Sequence, residues 1–373
     1  MFIERTKCIF CDNILHNVMF DINKNIYISS NFIDTIENYI TIPYNIYVCD
    51  ICLCYQNKYL GDLSLVYNSN HNNVILSDIW IHHYQLFYTF IINNYNNINK
   101  EINILEIGAG NNYIVNLFIN DEYKNYTILE PNITNKLDNI NYISEFLENF
   151  KNNINYDITI LSHVFEHLYN PKDLFNINSK YIVISVPNIH SYLDNFIVNF
   201  LNIEHTFYFE EYHIIYLFGK FNYKLIKKEY YDKHSIFMFF EKINTYGLDY
   251  NFIKNNLNNN IKIKINNHFN KILSLVDNIN NYINNNENIN FALFPAHFYI
   301  TYFMIFGLDI SKIKYLYDNN INKKNKYLYG TNLICKNLDY FINKNYCILL
   351  LGFLYNTEII ELLNENNINY KKL

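Results

Sequence analysis

The sequence lacks a surplus of positive charge. Its 373 residues include 29 Lys or Arg against 35 Asp or Glu, giving a formal net charge of −6, and no stripe of basic residues interleaved with aromatic ones is present. Nucleic acid is therefore not expected as a partner, because binding to phosphates needs a basic surface. No apolar stretch has the length of a membrane span, and the first residues, "MFIERTKCIFC", lack the apolar core of a signal peptide. These absences predict a cytosolic protein without a membrane segment.

Disulfides are not expected either, although seven cysteines occur. Cys8 and Cys11 form one C-x-x-C pair, and Cys49 and Cys52 form another. Two such pairs suit a tetrahedral Zn²⁺ ion, because each turn directs two thiolates to one point. Four thiolates leave no open coordination position, so the metal would be structural. The alternative is four reduced cysteines packed as small hydrophobic side chains. The remaining cysteines are not expected to be ligands: Cys54, Cys335 and Cys347.

The apolar pattern along the chain predicts an α/β fold. The chain is 50% hydrophobic, which is enough to bury cores in two or three domains. Runs such as "INILEIG", "NYTILEP", "DITILSHV" and "YIVISVPN" alternate with helix-compatible stretches, which indicates a parallel sheet with crossover helices. A hairpin, "FNYKLIKKEYY" and "SIFMFFEK", ends this sheet, and a helix at about 75–97 precedes it. The pattern predicts four parts: a zinc-binding module (1–60), a core domain with an N-terminal helical lid (61–245), a helical linker (246–289) and a smaller α/β domain (290–373).

A glycine turn follows the first strand of the predicted core. In "NILEIGAGNN", Gly108 and Gly110 lie between the strand and the next helix, where backbone N–H groups and the helix N-terminus can bind a ligand. Both NAD and S-adenosylmethionine fit this arrangement. Asn112 stands where a dinucleotide site usually has its third glycine, which favours S-adenosylmethionine. Glu130, which ends the second strand in "TILEPN", is placed to bind both hydroxyls of a ribose.

Several motifs together resemble one enzyme family. "LEIGAG", "LEPN", "YDITILSHVFEHLYNPKDLF" and "VISVPN", in this order, are similar to class I S-adenosylmethionine-dependent methyltransferases with a His-Val-Leu-Glu-His type motif after the fourth strand. The resemblance implies a Rossmann-like core in which Glu106 serves the amino group of the cofactor and His163 lines the site. It also implies that Glu166 and His167 mainly fix their loop to the following helix.

The resemblance extends to the zinc-containing sugar C-methyltransferases and covers nearly the whole chain. Paired C-x-x-C motifs before the core, "NIEHTFYF" after it, and a small C-terminal α/β domain are the arrangement of that family, which acts on nucleotide-linked deoxysugars. In the last domain, its recurring places are taken by Asp318, Lys323 or Lys324, Gly330 and Glu358. Two departures stand out: Asn202 and Ile203 precede the "EH" pair, and the last domain begins with "FPAHF" in place of a glycine turn. That domain is therefore not expected to bind a nucleotide through a glycine loop.

Methyl transfer needs a base near the acceptor atom. His205 is the candidate base, with Glu204 as its neighbour and Tyr208 as a substrate contact or a packing residue. Glu204 can orient His205 only if the segment turns, because adjacent residues of a strand point to opposite faces. Tyr67 and His71 are weaker candidates for the substrate side.

The sequence thus predicts a methyltransferase that uses S-adenosylmethionine, contains structural Zn²⁺ and acts on a nucleotide-linked sugar or a surface-glycan precursor, with C-methylation as the first choice. The alternatives are an O-methyltransferase of a glycan or small metabolite, and a non-catalytic protein that binds S-adenosylmethionine and serves in an assembly.

Overall fold

A computed structural model describes most of the chain, namely residues 2–29, 31–36, 39–67, 78–95, 99–133, 135–151, 153–198, 201–231, 234–297, 299–351 and 356–373. The strands, in chain order, are β1 (Phe2–Glu4), β2 (Asn17–Tyr27), β3 (Phe32–Ile33), β4 (Thr41–Val48), β5 (Tyr55–Asn57), β6 (Tyr59–Gly61), β7 (Asn103–Ile107), β8 (Asn125–Leu129), β9 (Asn141–Ile143), β10 (Tyr156–Ser162), β11 (Ser179–Pro187), β12 (Phe207–Tyr208), β13 (Tyr223–Tyr231), β14 (Ser235–Lys242), β15 (Asn290–Phe294), β16 (Ile313–Tyr317), β17 (Tyr327–Leu328), β18 (Ile334–Lys336), β19 (Tyr346–Leu350) and β20 (Asn369–Lys372). The helices are α1 (Leu63–Val66), α2 (Asp78–Tyr95), α3 (Tyr113–Asn120), α4 (Ile189–Asp194), α5 (Glu211–Lys220), α6 (Tyr250–Asn256), α7 (Asn260–Asn284), α8 (Tyr299–Ile305), α9 (Leu338–Phe341) and α10 (Asn356–Glu365).

The central sheet has the strand order β13-β14-β11-β10-β7-β8-β9. Strands β7 to β11 are parallel to one another. Strand β14 lies between β11 and β13 and is antiparallel to both. The interiors of β7, β8, β10 and β11 are buried, as expected for apolar strands that have helices on both faces. The predicted Rossmann-like core and its closing hairpin are therefore confirmed as an open α/β sheet.

Helix α2 covers one face of this sheet. Its buried residues recur at three- and four-residue spacing, and Phe87 and Phe90 pack against Phe237 of β14. The spacing creates an apolar stripe that holds the helix on the sheet. The first two turns of α2, which begins at Asp78, thereby place Trp80 and Tyr84 at the carboxyl edge of the parallel strands.

The first sixty residues do more than bring four cysteines together. Strands β2, β4, β5 and β12 make an antiparallel sheet, so this region pairs directly with a segment that lies between β11 and β13 in the chain. Strand β3 pairs with β17 and completes a second large sheet. The N-terminal region is therefore joined by backbone hydrogen bonds to both α/β parts, which its local sequence pattern could not reveal.

The second large sheet has the order β20-β19-β15-β16-β18-β17-β3, and its first five strands are parallel. The predicted smaller α/β unit is present with its closing helix α10. Helix α7 lies within the predicted linker and buries one side chain every three or four residues, from Ile261 to Ile283. These side chains share one core with β15 and with the N-terminal strands β2 and β4. Among the described helices, none combines the length and the apolar character needed to cross a membrane.

Candidate active site

The carboxyl ends of β7, β8 and β10 lie together at the point where the strand order of the sheet reverses. From β7 the chain continues to β8 and β9 on one side, and then to β10 and β11 on the other. Ligands of open α/β sheets bind at such a switch point. A cavity of about 320 Å³ lies there, and among the described residues its lining includes Tyr67, Trp80, Tyr84, Gly108, Gly110, Glu130, Glu145, Phe146, Leu147, Glu148, His163 and His167.

The glycine turn forms one wall of this cavity. Gly108 and Gly110 both have positive φ, at 71° and 56°. A Cβ on Gly108 would lie 2.5 Å from Cγ2 of Val164, so only glycine fits there, while a Cβ on Gly110 would meet no atom within 4 Å. Asn112 also adopts a left-handed conformation, with φ of 61°, which Asn tolerates better than most residues, and its amide donates to the Asn135 carbonyl at 2.6 Å. The turn therefore forms without a third glycine.

Glu130 faces the turn from the end of β8. Its carboxylate accepts a hydrogen bond from the Asn132 N–H at 2.9 Å and a long one from the Gly110 N–H at 3.4 Å. Its side chain lines the cavity, as the ribose assignment requires.

Glu106 does not line the cavity. It is 2% exposed and accepts a hydrogen bond from the Tyr126 hydroxyl at 2.8 Å. Strand pairing sets Glu106 opposite Ile128, so Tyr126, two residues earlier, presents its side chain on the same face of the sheet. Burial raises the pKa of Glu106 to about 7, and nearby Glu130 adds to this shift. Glu106 thus lies behind the cavity wall, and its role toward the amino group of the cofactor stays a prediction.

His163 lines the cavity where β10 ends, in an unusual backbone conformation with φ of 52°. Its Nε2 lies 2.8 Å from the Ser235 hydroxyl and its Nδ1 lies 3.2 Å from a carboxylate oxygen of Glu166. Burial lowers the pKa of His163 to about 3, so this ring is neutral near pH 7. His83 and His234 lie close to it, and all three rings pack around Trp80.

Of the residues predicted for the acceptor side, Tyr67 lines the cavity, whereas Glu204, His205 and Tyr208 are not among its described lining residues. His167 lines the cavity, its Nδ1 lies 2.9 Å from the Tyr67 hydroxyl, and Glu204 approaches the same nitrogen at 3.9 Å. The rings of His167 and His205 are perpendicular with centroids 5.0 Å apart. His205 and Tyr208 line a separate hollow of about 20 Å³.

His167, for which the resemblance implies mainly a structural role, forms part of the cavity wall. Glu204, His205 and Tyr208 are not among the described lining residues, and the roles assigned to them stay predictions. The segment 202–205 forms a turn, in which the His205 N–H donates to the Asn202 carbonyl at 3.0 Å. His205 therefore lies behind His167. Tyr208 is 5% exposed, its hydroxyl lies 3.4 Å from the Asn202 carbonyl, and burial raises its pKa to about 12. His71 lies outside the described residues.

Sequence reasoning missed two parts of the cavity. Trp80 and Tyr84 come from α2, and the segment after β9 contributes Glu145, Phe146 and Leu147. The first pair could have been suspected, because the single tryptophan of the chain begins a predicted helix next to the core. The second part follows a strand of three residues, "NYI", too short for its pattern to stand out.

The four predicted metal ligands come together. Four Sγ atoms lie within 4.8 Å of one another, those of Cys8, Cys11, Cys49 and Cys52. These cysteines are not disulfide-bonded. Each C-x-x-C turn is followed by a residue with positive φ, namely Asp12 at 62° and Leu53 at 63°. The two turns therefore end in the same backbone conformation. This donor set fits a tetrahedral ion that prefers thiolates, and the four cysteines could hold one. Cys54 is not part of this group of four, and its thiol lies 3.5 Å from the carbonyls of Tyr55 and Tyr208.

No family model matches the chain, and no curated protein does. Solved structures that are similar to it include the N-methyltransferase NodS from Bradyrhizobium japonicum WM9 in complex with S-adenosyl-L-homocysteine, with 10% identity, a TM-score of 0.35, and coverage of 48% of this chain and 95% of NodS. The plantazolicin methyltransferase BpumL is similar at 13% identity and a TM-score of 0.32, covering 44% of this chain and 84% of BpumL. A SAM-dependent methyltransferase from Aquifex aeolicus is similar at 9% identity and a TM-score of 0.32, covering 42% of this chain and 89% of its own.

Proposed function

We propose that this protein is an S-adenosylmethionine-dependent methyltransferase. The observation that carries the proposal is the combination of a glycine turn and a carboxylate in one cavity at the switch point of the sheet. Gly108 and Gly110 bring backbone N–H groups to the cavity, and Glu130 offers two oxygens to a pair of ribose hydroxyls.

The charge of the cavity favours this cofactor over a dinucleotide. Glu130, Glu145 and Glu148 are in the lining, and none of the described lining residues is Lys or Arg. A pyrophosphate would bring two negative charges next to these carboxylates, whereas S-adenosylmethionine carries a sulfonium and an ammonium group. Phe146 and Leu147 supply the apolar surface that an adenine ring needs.

The acceptor side is polar and rich in imidazole. We place the acceptor next to Tyr67 and His167, with His205 as the base and Glu204 and Tyr208 as supporting residues. The sequence resemblance supports a nucleotide-linked sugar or surface-glycan precursor as acceptor, and methylation at carbon. The O-methyltransferase reading differs only in the acceptor atom, since a hydroxyl and a carbon acid both need a base here. A non-catalytic protein would keep the cofactor cavity and lose turnover.

The four-cysteine group is proposed as a structural zinc site. All four ligands are protein thiols, so no position is left for a substrate or a water molecule. The domain limits at 60, 245 and 289 remain part of the proposal, as does the location in the cytosol.

Calorimetry of the full chain with S-adenosylmethionine and with NAD tests the cofactor. We expect S-adenosylmethionine to bind with a dissociation constant at least about tenfold below that of NAD, because only the former complements the carboxylates. Tighter binding of NAD would refute the assignment. Binding of S-adenosylmethionine with no transfer to any sugar nucleotide or glycan precursor would favour the non-catalytic reading.

A further inference from the structure

Glu166 is a buried carboxylic acid next to the proposed acceptor site. It lies on the short turn Phe165–His167 after β10 and is 1% exposed. No well-aligned hydrogen bond reaches either of its carboxylate oxygens from the described part of the chain. Nδ1 of the neutral His163 ring lies 3.2 Å from one of these oxygens. A buried carboxylate in this situation is costly unless a neighbour supplies charge or a proton.

Two imidazoles on its other side can supply that charge. One side-chain N or O atom from each of Glu166, His167 and His205 lies within 4.8 Å of the others. Glu166 and His205 also line the hollow of about 20 Å³, which is large enough for one water molecule. Neither of them is among the described residues that line the larger cavity, so His167 stands between this pair and the cofactor space.

Backbone hydrogen bonds set the distance between the two segments. The Thr206 N–H donates to the Glu166 carbonyl at 3.0 Å, and the Thr206 hydroxyl donates to the Leu168 carbonyl at 2.7 Å. From the N-terminal sheet, the Asn57 amide donates to the His205 carbonyl at 3.0 Å. Thr206 thus holds the segment of His205 against the turn that carries Glu166, and Asn57 fixes the carbonyl of His205.

We infer that Glu166 is the positioning residue for His205, and that this role does not belong to the sequence neighbour Glu204. Glu204 instead approaches His167, at 3.9 Å. The inference rests on the proposed methyl transfer. In that step the acceptor's proton moves to one ring nitrogen of His167, and the other ring nitrogen of His167 passes its proton to His205. The acceptor's electron pair forms a bond to the methyl carbon, and the carbon–sulfur bond breaks to leave a neutral thioether. The imidazolium formed on His205 then lies beside the Glu166 carboxylate, which stabilises it.

The electrostatics of the pair agree with this geometry. Burial raises the pKa of Glu166 to about 7, and the charge of His205 opposes that shift. A proton on His205 and a negative charge on Glu166 therefore favour each other. Further titratable groups that face this pair are His163, His167, Glu204, Tyr67 and Tyr192.

The pKa of His205 tests the inference without an acceptor. Full-length protein labelled with ¹³C at histidine Cε1 is titrated by NMR, and the His205 signal is identified by its loss in His205→Asn. We expect Glu166→Gln to lower the pKa of His205 by about one unit or more, because an opposite charge within about 4–6 Å shifts a pKa by 1–3 units. Glu204→Gln should change it by less than half that amount, and Glu166→Asp, which keeps the charge, should restore most of the wild-type value.

Three outcomes would overturn the inference. The first is an unchanged His205 pKa in a folded Glu166→Gln protein. The second is a larger shift in Glu204→Gln than in Glu166→Gln. The third is a bound divalent cation, detected by calorimetry with ZnCl₂ in addition to the metal of the four cysteines and lost in Glu166→Gln, because the cluster would then be a metal site. If Glu166→Gln does not fold, the comparison of Glu166→Asp with Glu204→Gln carries the test.

The proposed function fails separately. It fails if the wild-type protein does not bind S-adenosylmethionine in calorimetry, and that result leaves the histidine titration unaffected. Calorimetry of Glu166→Gln with S-adenosylmethionine should give a dissociation constant within about twofold of wild type, since Glu166 is not among the described lining residues of the cofactor cavity.

Discussion

The two mainly parallel sheets of this protein have carboxyl edges with similar backbone hydrogen bonds and different side chains. In the core sheet the Gly108 N–H donates to the last carbonyl of β8, and Glu130 follows that strand. In the second sheet the Ala296 N–H donates to the last carbonyl of β16, and Asp318 follows. Each acid accepts a hydrogen bond at 2.9 Å from the N–H two residues later.

The two edges differ in the groups that contact the acidic side chain. Glu130 faces the Gly110 N–H and a cavity. Asp318 instead pairs with the Lys323 ammonium at 2.8 Å, and the same ammonium donates to the Ala296 carbonyl at 2.8 Å. The protein's own cation thus lies at the second edge. The comparison teaches that the repeated topology provides a place for a ligand, while a few side chains decide whether the place stays open.

The largest expected effect tests whether the first edge depends on the N-terminal region, which is joined to both α/β parts. Cys49→Ser should remove the metal, about one zinc per chain in the wild type, and unfold the N-terminal region, because a thiolate-bound zinc contributes on the order of 10 kcal/mol to folding. Binding of S-adenosylmethionine should persist. Elemental analysis, thermal melting and calorimetry are the measurements, with Cys335→Ser, a buried cysteine outside the cluster, as the control. Metal-free wild type with a normal melting profile would support four packed thiols.

The next effect concerns chemistry at the first edge. His205→Ala should lower turnover by roughly 10²–10⁴, with the affinity for S-adenosylmethionine near wild type, because a base acts on the acceptor. The matched change at the second edge, His297→Ala, should leave turnover unchanged. Steady-state kinetics with sugar nucleotides as trial acceptors provide the test. Loss of thermal stability with turnover that recovers at saturating acceptor would make His205 a loop anchor.

Exchanging the small residues of the two turns should give a smaller effect. Gly108→Ala places a methyl group 2.5 Å from Val164 at a positive φ, so the turn must distort. We expect the dissociation constant of S-adenosylmethionine to rise by roughly 5- to 100-fold, the equivalent of 1–3 kcal/mol of strain. Ala296→Gly should not change it. Equal affinities in wild type and Gly108→Ala, measured by calorimetry, would remove the turn from the site.

The last test compares the two acids directly. Glu130→Ala should weaken binding of S-adenosylmethionine by at least about tenfold, because hydrogen bonds to a charged group contribute about 1.5–3 kcal/mol each. Asp318→Ala should leave that affinity unchanged, since its partner is Lys323. The same calorimetric titration serves both variants. Unchanged affinity in a folded Glu130→Ala protein would exclude Glu130 from the site, and weakened binding in Asp318→Ala would show that the edges are coupled.

Some predictions succeeded because the signal is local. The strand–turn–helix around Gly108 and the hairpin formed by β13 and β14 were predicted from apolar runs and turn residues alone. Local pattern does not give the direction of a side chain: Glu106 belongs to the turn's motif, and its carboxylate accepts a hydrogen bond from Tyr126. The orientation of a strand residue depends on its neighbour in the sheet, which a single segment does not specify.

The sequence by itself determined the elements of this protein and the composition of its turns, because apolar periodicity, C-x-x-C spacing and glycines act over a few residues. Only the tertiary structure decided which distant segments meet. It brought Trp80 of α2 to the cavity, paired β3 with β17, and set His205 beside Glu166 and behind His167. The physical reason is that these contacts depend on how helices and sheets pack against one another, and packing of that kind leaves no periodic signal in the chain.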